Sequence, residues 1–431
     1  MGIIKKFFLT KHEITQQKLR VKLKTTLFTS IAAVIFFASL IAIVYALGFS
    51  MLRDKGVESQ EEMARTLASS VTSTVEKQAE LLKLSANSQF VIDALKENNL
   101  KYMTKSEKEI QRYLMDVDKR WIEAPDDHPF LKDYLENKLS LKLRELKRDK
   151  EELVSVLVTD KFGGLAGSTT RPSGFYSFDQ DWWLDSYAKG HGKLFVGGVE
   201  YDERNNLWCI PFAVPIEDET GSVIGIYKAS INIETFFKPL ANFKIGKTGN
   251  AVLADDKAFL LYHYKASPFA NKFCEYEEFQ KILQNSDKWG ILDSAYLNHG
   301  KTLIAYSEVN MPYTSVDFYE PPSSTTNSDY AEFRKTSQSS IFLAKGINWF
   351  VFVERDLREI FSPLYKLVFI MVLIGIALTI ILALSVFILS GQEPPNYSML
   401  QVIKETAEAK AEEKTYNPAE ERAKRLPKED S

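Results

Sequence analysis

The chain has 431 residues, a formal net charge of -3 and a composition that is 26% charged and 45% hydrophobic. That length exceeds one ordinary domain, and such averages conceal a division between apolar and ordinary globular stretches. The near-neutral charge gives no support to nucleic-acid binding, and five histidines and two cysteines without paired metal spacing argue against a structural zinc site.

In residues 1–24, Lys5, Lys6, Lys11, Lys18, Arg20, Lys22 and Lys24 oppose only Glu13. Residues 25–52 then carry no charge, and a run of about 20 apolar residues suffices to cross a bilayer core. The basic excess ahead of this first span predicts a cytoplasmic N-terminus. The alternative, a cleaved signal peptide, is disfavoured because its apolar region runs only about 7 to 15 residues and no clear A-x-A site precedes Arg53. A second apolar run at 367–390 predicts a second span. Residues 53–362 are therefore expected outside, and the tail from 391 to 431 inside.

After the first span, Met63, Leu67, Val71, Val75, Leu81, Leu82 and Leu84 recur at helical spacing with no Pro or Gly between them, which predicts one long helix over 58–95. Further helix is predicted over 107–124 and, beyond the turn-prone Pro125, Asp126, Asp127 and Pro129, over 133–152. The period then changes. Short β-branched and aromatic runs at 153–160, 165–170, 193–201, 207–216 and 222–233 predict a five-stranded antiparallel sheet, with one amphipathic helix at about Asp179 to Lys189. A second set of strands follows at 250–256, 259–264, 302–309, 340–346 and 348–356, with a helix over 275–286. The Ser-, Thr-, Pro- and Asp-rich stretch from Asn310 to Gln338 reads as a long surface loop. The fold class is α+β: a long membrane-proximal helix and two tandem sheet modules, at about 150–235 and 245–355, between two transmembrane helices.

Gly246, Lys247, Thr248, Gly249 and Asn250 resemble part of a phosphate loop. That motif needs a further glycine where this chain has Ala241, so a turn between modules is the better reading. Cys209 and Cys274 fall in different modules, and no disulfide is expected between them. No set of nucleophile, base and orienting acid stands out, so no enzyme activity and no cofactor are expected.

The segments VSVLVTDKFGGLAGST (154–169), DWWLDSYAKG (181–190), Tyr201, IPFAVPIEDETGSVIGIYKASINIETF (210–236), IGKTGNAVLADDKAFLLYH (245–263) and NWFVFVERDLREIFSPL (348–364) occur in this order behind a long helix. Together they resemble the double Cache sensor domain, with two PAS-like modules, of bacterial chemoreceptors, sensor kinases and membrane serine phosphatases. The resemblance implies a small ligand in the membrane-distal module, between the helix bearing Trp182 and Trp183 and strands bearing Tyr201 and Ser230. Arg171, Lys228 and Tyr187 complete the candidate set. The amino-acid-binding branch has Tyr-x4-Arg-x-Trp-Tyr and a later Asp. Here Phe175, Gln180, Trp183 and Ser230 stand in for the first Tyr, the Arg, the second Tyr and the Asp, which disfavours an ordinary α-amino acid and leaves an organic acid, a neutral ring or an amine. The two Trp side chains also fit the ordinary role of filling a helix-to-sheet core.

In the tail, Leu400, Ile403, Ala407 and Ala411 form a helical stripe that resembles the first helix of a HAMP relay, or else a solvated helix with a disordered end. The expected function is that of a receptor subunit in the bacterial inner membrane. It would bind a small extracytoplasmic ligand, pair as a homodimer through its long helices and signal to a separate cytoplasmic protein. The alternatives are a binding or adhesion module with an inert tail and the sensor half of a split phosphatase or kinase.

Overall fold

The computed structural model describes residues 2–293, 300–311 and 348–389, with side chains from residue 16 onward. It divides into two compact units, residues 51–362 and the flanking 1–50 with 363–431. The expected strand at 340–346, nearly all of the expected loop and the tail helix lie outside the described residues.

Helix α1 (Gly2–Ala86) carries the first apolar run, and its later part backs the folded unit. Its buried stripe is Ala64, Leu67, Ala68, Val71, Val75, Ala79, Leu82 and Ala86. Leu84 of the predicted stripe is instead 68% exposed, because the alanines, not the largest residues, set the face. The long helix also ends earlier than its pattern predicts. Ser88 adopts extended backbone (φ -67°, ψ 139°), and α2 (Gln89–Leu100) starts afresh behind it.

A capping box of Ser106 and Glu109 starts α3 (Glu107–Glu123), satisfying backbone donors that a first turn otherwise leaves open. The helix predicted over 133–152 is two helices, α4 (Pro129–Leu135) and α5 (Lys138–Arg148). Asn137 causes the break, its Oδ1 accepting from Ser140 N at 2.8 Å as the cap of α5.

The first sheet comprises β1 (Leu153–Asp160), β2 (Leu165–Ser168), β3 (Phe195–Val196), β4 (Glu200–Asp202), β5 (Leu207–Glu217) and β6 (Val223–Asn232), with α6 (Asp181–Tyr187) between β2 and β3. The order is β2-β1-β6-β5-β3, with β4 also pairing β5, and every pairing is antiparallel. The expected five strands become six because 193–201 splits at Gly197. A Cβ there would sit 2.6 Å from Pro211 Cγ, so the chain bends where only glycine fits.

Helix α7 (Glu234–Ala241) leads to the second sheet: β7 (Asn250–Asp255), β8 (Leu260–Tyr262), β9 (Trp289–Leu292), β10 (Thr302–Val309) and β11 (Trp349–Asp356) in the order β8-β7-β11-β10-β9, with α8 (Tyr276–Gln284) against it. Strand β9 was absent from the sequence reading. Its four residues include Gly290 and carry no clear alternation, and pairing with β10 from Thr302 to Ala305 defines it. The inner faces of both sheets join the α1 stripe in one hydrophobic cluster that includes Phe212, Tyr227, Ile231, Leu253, Trp349 and Val353. The fold is thus the α+β arrangement of a long helix and two antiparallel-sheet modules.

From β11 the chain enters α9 (Leu357–Leu389) directly. Among the described residues, two helices, α1 and α9, are long and apolar enough to cross a membrane. Within their unit Gly375 lies against the Phe37 ring, a Cβ there meeting Phe37 Cβ at 3.4 Å, as small residues allow close helix approach in lipid.

Candidate functional site

The outer face of the first sheet, away from α1, carries α6. Alternation along β6 sends Tyr227, Ala229 and Ile231 into the inner cluster and leaves Ile226, Lys228 and Ser230 for the outer face. On β5 the same rule separates Ile210, Phe212 and Val214 from Cys209, Pro211 and Ala213. On β4, Glu200 pairs with Cys209 and so shares its face.

Trp182 and Trp183 are both buried against Ala213, Val223 and Ile226, yet they do different things. Trp183 Nε1 donates to Thr159 Oγ1 at 3.1 Å, and its ring stacks on Tyr187 with centroids 4.8 Å apart. The indole is thereby fixed and its N–H satisfied. Trp182, about 100° further round the helix, lies under Lys228, whose Nζ is 5.1 Å from the ring centroid.

Lys228 Nζ is also 4.0 Å from Glu200 Oε2, with side chains 16% and 20% exposed. At that separation the ions attract without a hydrogen bond, and both retain capacity for a third group. Ser230 is 6% exposed. Cys209 is 2% exposed, and burial pushes its thiol up to about 12, helped by the Glu200 and Asp202 carboxylates and opposed by the Ser230 hydroxyl and Lys228. The thiol is therefore a neutral, unreactive wall. The face offers an aromatic floor, one cation, one anion and a hydroxyl.

Of the seven predicted residues, the structure brings Trp182, Lys228 and Ser230 to this face, with Trp183 and Tyr187 stacked beside them. Tyr201 pairs with Trp208 and follows it to the opposite face of the sheet, with ring centroids 4.9 Å apart; its hydroxyl donates to Asn206 Oδ1. Arg171 lies at the end of α3, where its guanidinium donates to Trp121 O, to Ala124 O at 2.8 Å and to Asp126 Oδ1 at 2.6 Å. Phe175 is packed against Trp121 and Tyr134 in the helical core, and Gln180 precedes α6 with its side-chain amide donating to Asp179 Oδ1 at 3.1 Å.

Glu200 was missed in the sequence. The resemblance pointed to its neighbour Tyr201, and a one-residue step along a strand reverses the face. The register opposite Cys209 places it, and local sequence carries no signal for that register.

Two antiparallel-sheet modules in series, backed by one helix that continues from an apolar run, define the α+β class of the domain. A family model described as "Cache domain" matches residues 50–364, and the chain belongs to that family, in its double form. No curated protein matches the sequence. Among solved structures, the chain is similar to the ligand-binding domain of the Pseudomonas aeruginosa amino-acid chemoreceptor PctC in complex with GABA, at 16% identity and a TM-score of 0.39, covering 70% of this chain and 100% of that one. It is similar to the ligand-binding domain of the Pseudomonas fluorescens chemoreceptor CtaA with L-serine, at 12% and 0.40, covering 70% and 98%. A third is the sensory domain of the Campylobacter jejuni chemoreceptor Tlp3 with isoleucine bound, at 14% and 0.38, covering 72% and 97%.

Proposed function

We propose that the chain is a ligand-sensing receptor subunit of a bacterial cell membrane, with residues 53–362 outside and both termini cytoplasmic. It has no catalytic activity of its own. It works as a homodimer through α1 and passes a conformational change to a separate cytoplasmic protein. Membership of the Cache family and the two apolar helices support this reading. A binding module with an inert tail is the alternative.

The observation that carries the ligand assignment is the half-buried, unbonded pair of Lys228 and Glu200 beside the Trp182 ring. A small molecule bearing an acid or an amine, or both, meets an opposite charge there and stacks on an aromatic floor. Gln180 and Ser230 replace the ions of the amino-acid-binding branch, so a ligand carrying both an acid and an amine uses Lys228 and Glu200 instead. Ligand contacts are assigned to Trp182, Lys228, Ser230 and Glu200, with Trp183 and Tyr187 as the adjoining wall. Arg171 and Tyr201 shape the frame.

The test is a thermal-shift screen of the detergent-solubilised chain against organic acids, ring compounds and amines. A ligand at a hundred times its dissociation constant adds about 2.7 kcal/mol. A hit whose shift vanishes in Lys228→Gln or Glu200→Gln supports the assignment, and a hit indifferent to both overturns it. Topology is checked with impermeant thiol reagent on intact cells: Asn206→Cys should label and Gln16→Cys should not.

A further inference from the structure

The turn that resembles a phosphate loop in sequence does hold an oxyanion, and the oxyanion belongs to the protein. Ile245 and Gly249 close the turn on each other, Ile245 N donating to Gly249 O at 3.1 Å and Gly249 N to Ile245 O at 3.0 Å. Inside it, Lys247 N donates to Glu359 Oε1 at 2.9 Å, and Thr248 N donates to Glu359 Oε2 at 2.8 Å. The Thr248 hydroxyl donates to the same Oε2 at 2.5 Å and accepts from Asp356 N at 3.2 Å. From β11, Arg355 Nη2 donates to Glu359 Oε1 at 2.9 Å. Four donors on two chain segments converge on one carboxylate, each oxygen taking two, which is how oriented N–H groups and a guanidinium hold anions elsewhere.

Two further observations show that the receptor is shaped for this guest. Gly246 has φ +61°, and a Cβ built on it would lie 2.0 Å from Glu359 Oε1 and 2.9 Å from Arg355 Nη2, so a glycine is required by backbone and by space together. Burial pushes the Glu359 carboxyl up, but the hydrogen bonds from Thr248, Lys247 and Arg355 outweigh it and hold the group at about 2. Glu359 sits in the first turn of α9, three residues past the end of β11, on the helix that runs on to Leu389.

We infer that the Gly246–Thr248 turn is an oxyanion receptor whose resident guest is Glu359, a latch that seats the first turn of the exit helix on the second sheet module. Glu359 is a positioning residue for whatever motion α9 carries. The inference is independent of the ligand assigned to the first sheet.

The experiment is chemical rescue on the full chain in detergent micelles. Glu359→Ala empties the receptor and should speed amide hydrogen exchange at Lys247, Thr248 and Asp356 at least tenfold, with the first turn of α9 following and α6 unchanged. Formate or acetate should restore protection saturably in this variant and do nothing to the unmodified chain, while chloride at equal ionic strength should do nothing to either. Gly246→Ala, which puts a methyl where the guest's oxygen lies, should lose the same protection without rescue. If Glu359→Ala does not fold, Glu359→Gln replaces it, and partial loss of protection at the same three amides is then expected. Unchanged exchange at Lys247 and Thr248 in the folded Glu359 variant overturns the latch. So does formate acting equally on all three chains.

Discussion

The two sheet modules repeat one architecture and spend their outer faces differently. On the first sheet the outer face carries Lys228, Glu200, Ser230 and Cys209 beneath Trp182, with two charges left half-buried and unbonded. On the second, Phe273, Phe279, Tyr306 and Phe352 fill the corresponding space, with Phe352 centroids 4.7 Å from Phe273 and 5.6 Å from both Phe279 and Tyr306. Among the described residues on that side, the ion-pair candidate His263 Nε2 to Glu354 Oε1, at 3.7 Å, is sealed at 2% exposure. A shared fold therefore does not imply a shared site: the packed face resists change, and the polar face can exchange contacts.

This contrast is breakable. The largest effect is expected from Phe352→Ala, which should cost about 3–5 kcal/mol in chemical denaturation because it empties a closed aromatic cluster. A cost below about 1 kcal/mol would mean that the second face is as loosely filled as the first. Acid should act next, and on the second module first. Glu359, ordinarily near 4.5 and held at about 2, binds a proton less readily folded than unfolded. Its contribution, at most about 3 kcal/mol, is present above pH 4.5 and is lost as pH falls toward 2. An acid-unfolding curve that Glu359→Gln leaves unchanged would remove that asymmetry.

Within the first module, Trp183→Phe should cost about 0.5–1.5 kcal/mol for the lost hydrogen bond to Thr159, beyond any packing change. Glu200→Gln should alter stability by less than about 1 kcal/mol, as partly exposed ion pairs contribute little, while changing ligand affinity more. A larger loss of stability than of affinity would make the pair structural. The smallest expected effect is in thiol labelling at pH 8. Burial raises both Cys209 and Cys274 to about 12, so both should react slowly and at similar rates. Faster labelling of Cys209 would show the first face opening on its own.

The alternation of strands and the two apolar runs were legible in sequence because each follows a single local period. The helix break at Ser88 was not, since no Pro or Gly marks it and the extended backbone of one residue decides it. Of the candidate residues, Trp182 came from the family resemblance and Lys228 as a strand cation, and both lie on the outer face. Tyr201 and Glu200 exchanged places because strand phase, set by the Cys209 pairing, is a tertiary fact. Arg171 was a ligand candidate in sequence, yet three acceptors at the end of α3 surround it, brought there by a fold that local pattern does not encode.

The alanine-rich stripe of α1 has a further implication, for how such a protein can change length. Gln60 Nε2 donates to Leu303 O and, at 3.4 Å, to Val353 O, fixing the helix to the second sheet, while the stripe onward to Ala86 lies in one cluster with the inner faces of both sheets. Adding one residue between Gln60 and Ala79 would rotate everything beyond it by about 100° and slide it about 1.5 Å. Every small side chain past the insertion would then leave its groove. Inherited insertions and deletions should therefore be excluded from this stretch and confined to the loops on the far side of the sheets, so that the helix acts as a ruler with a fixed gauge.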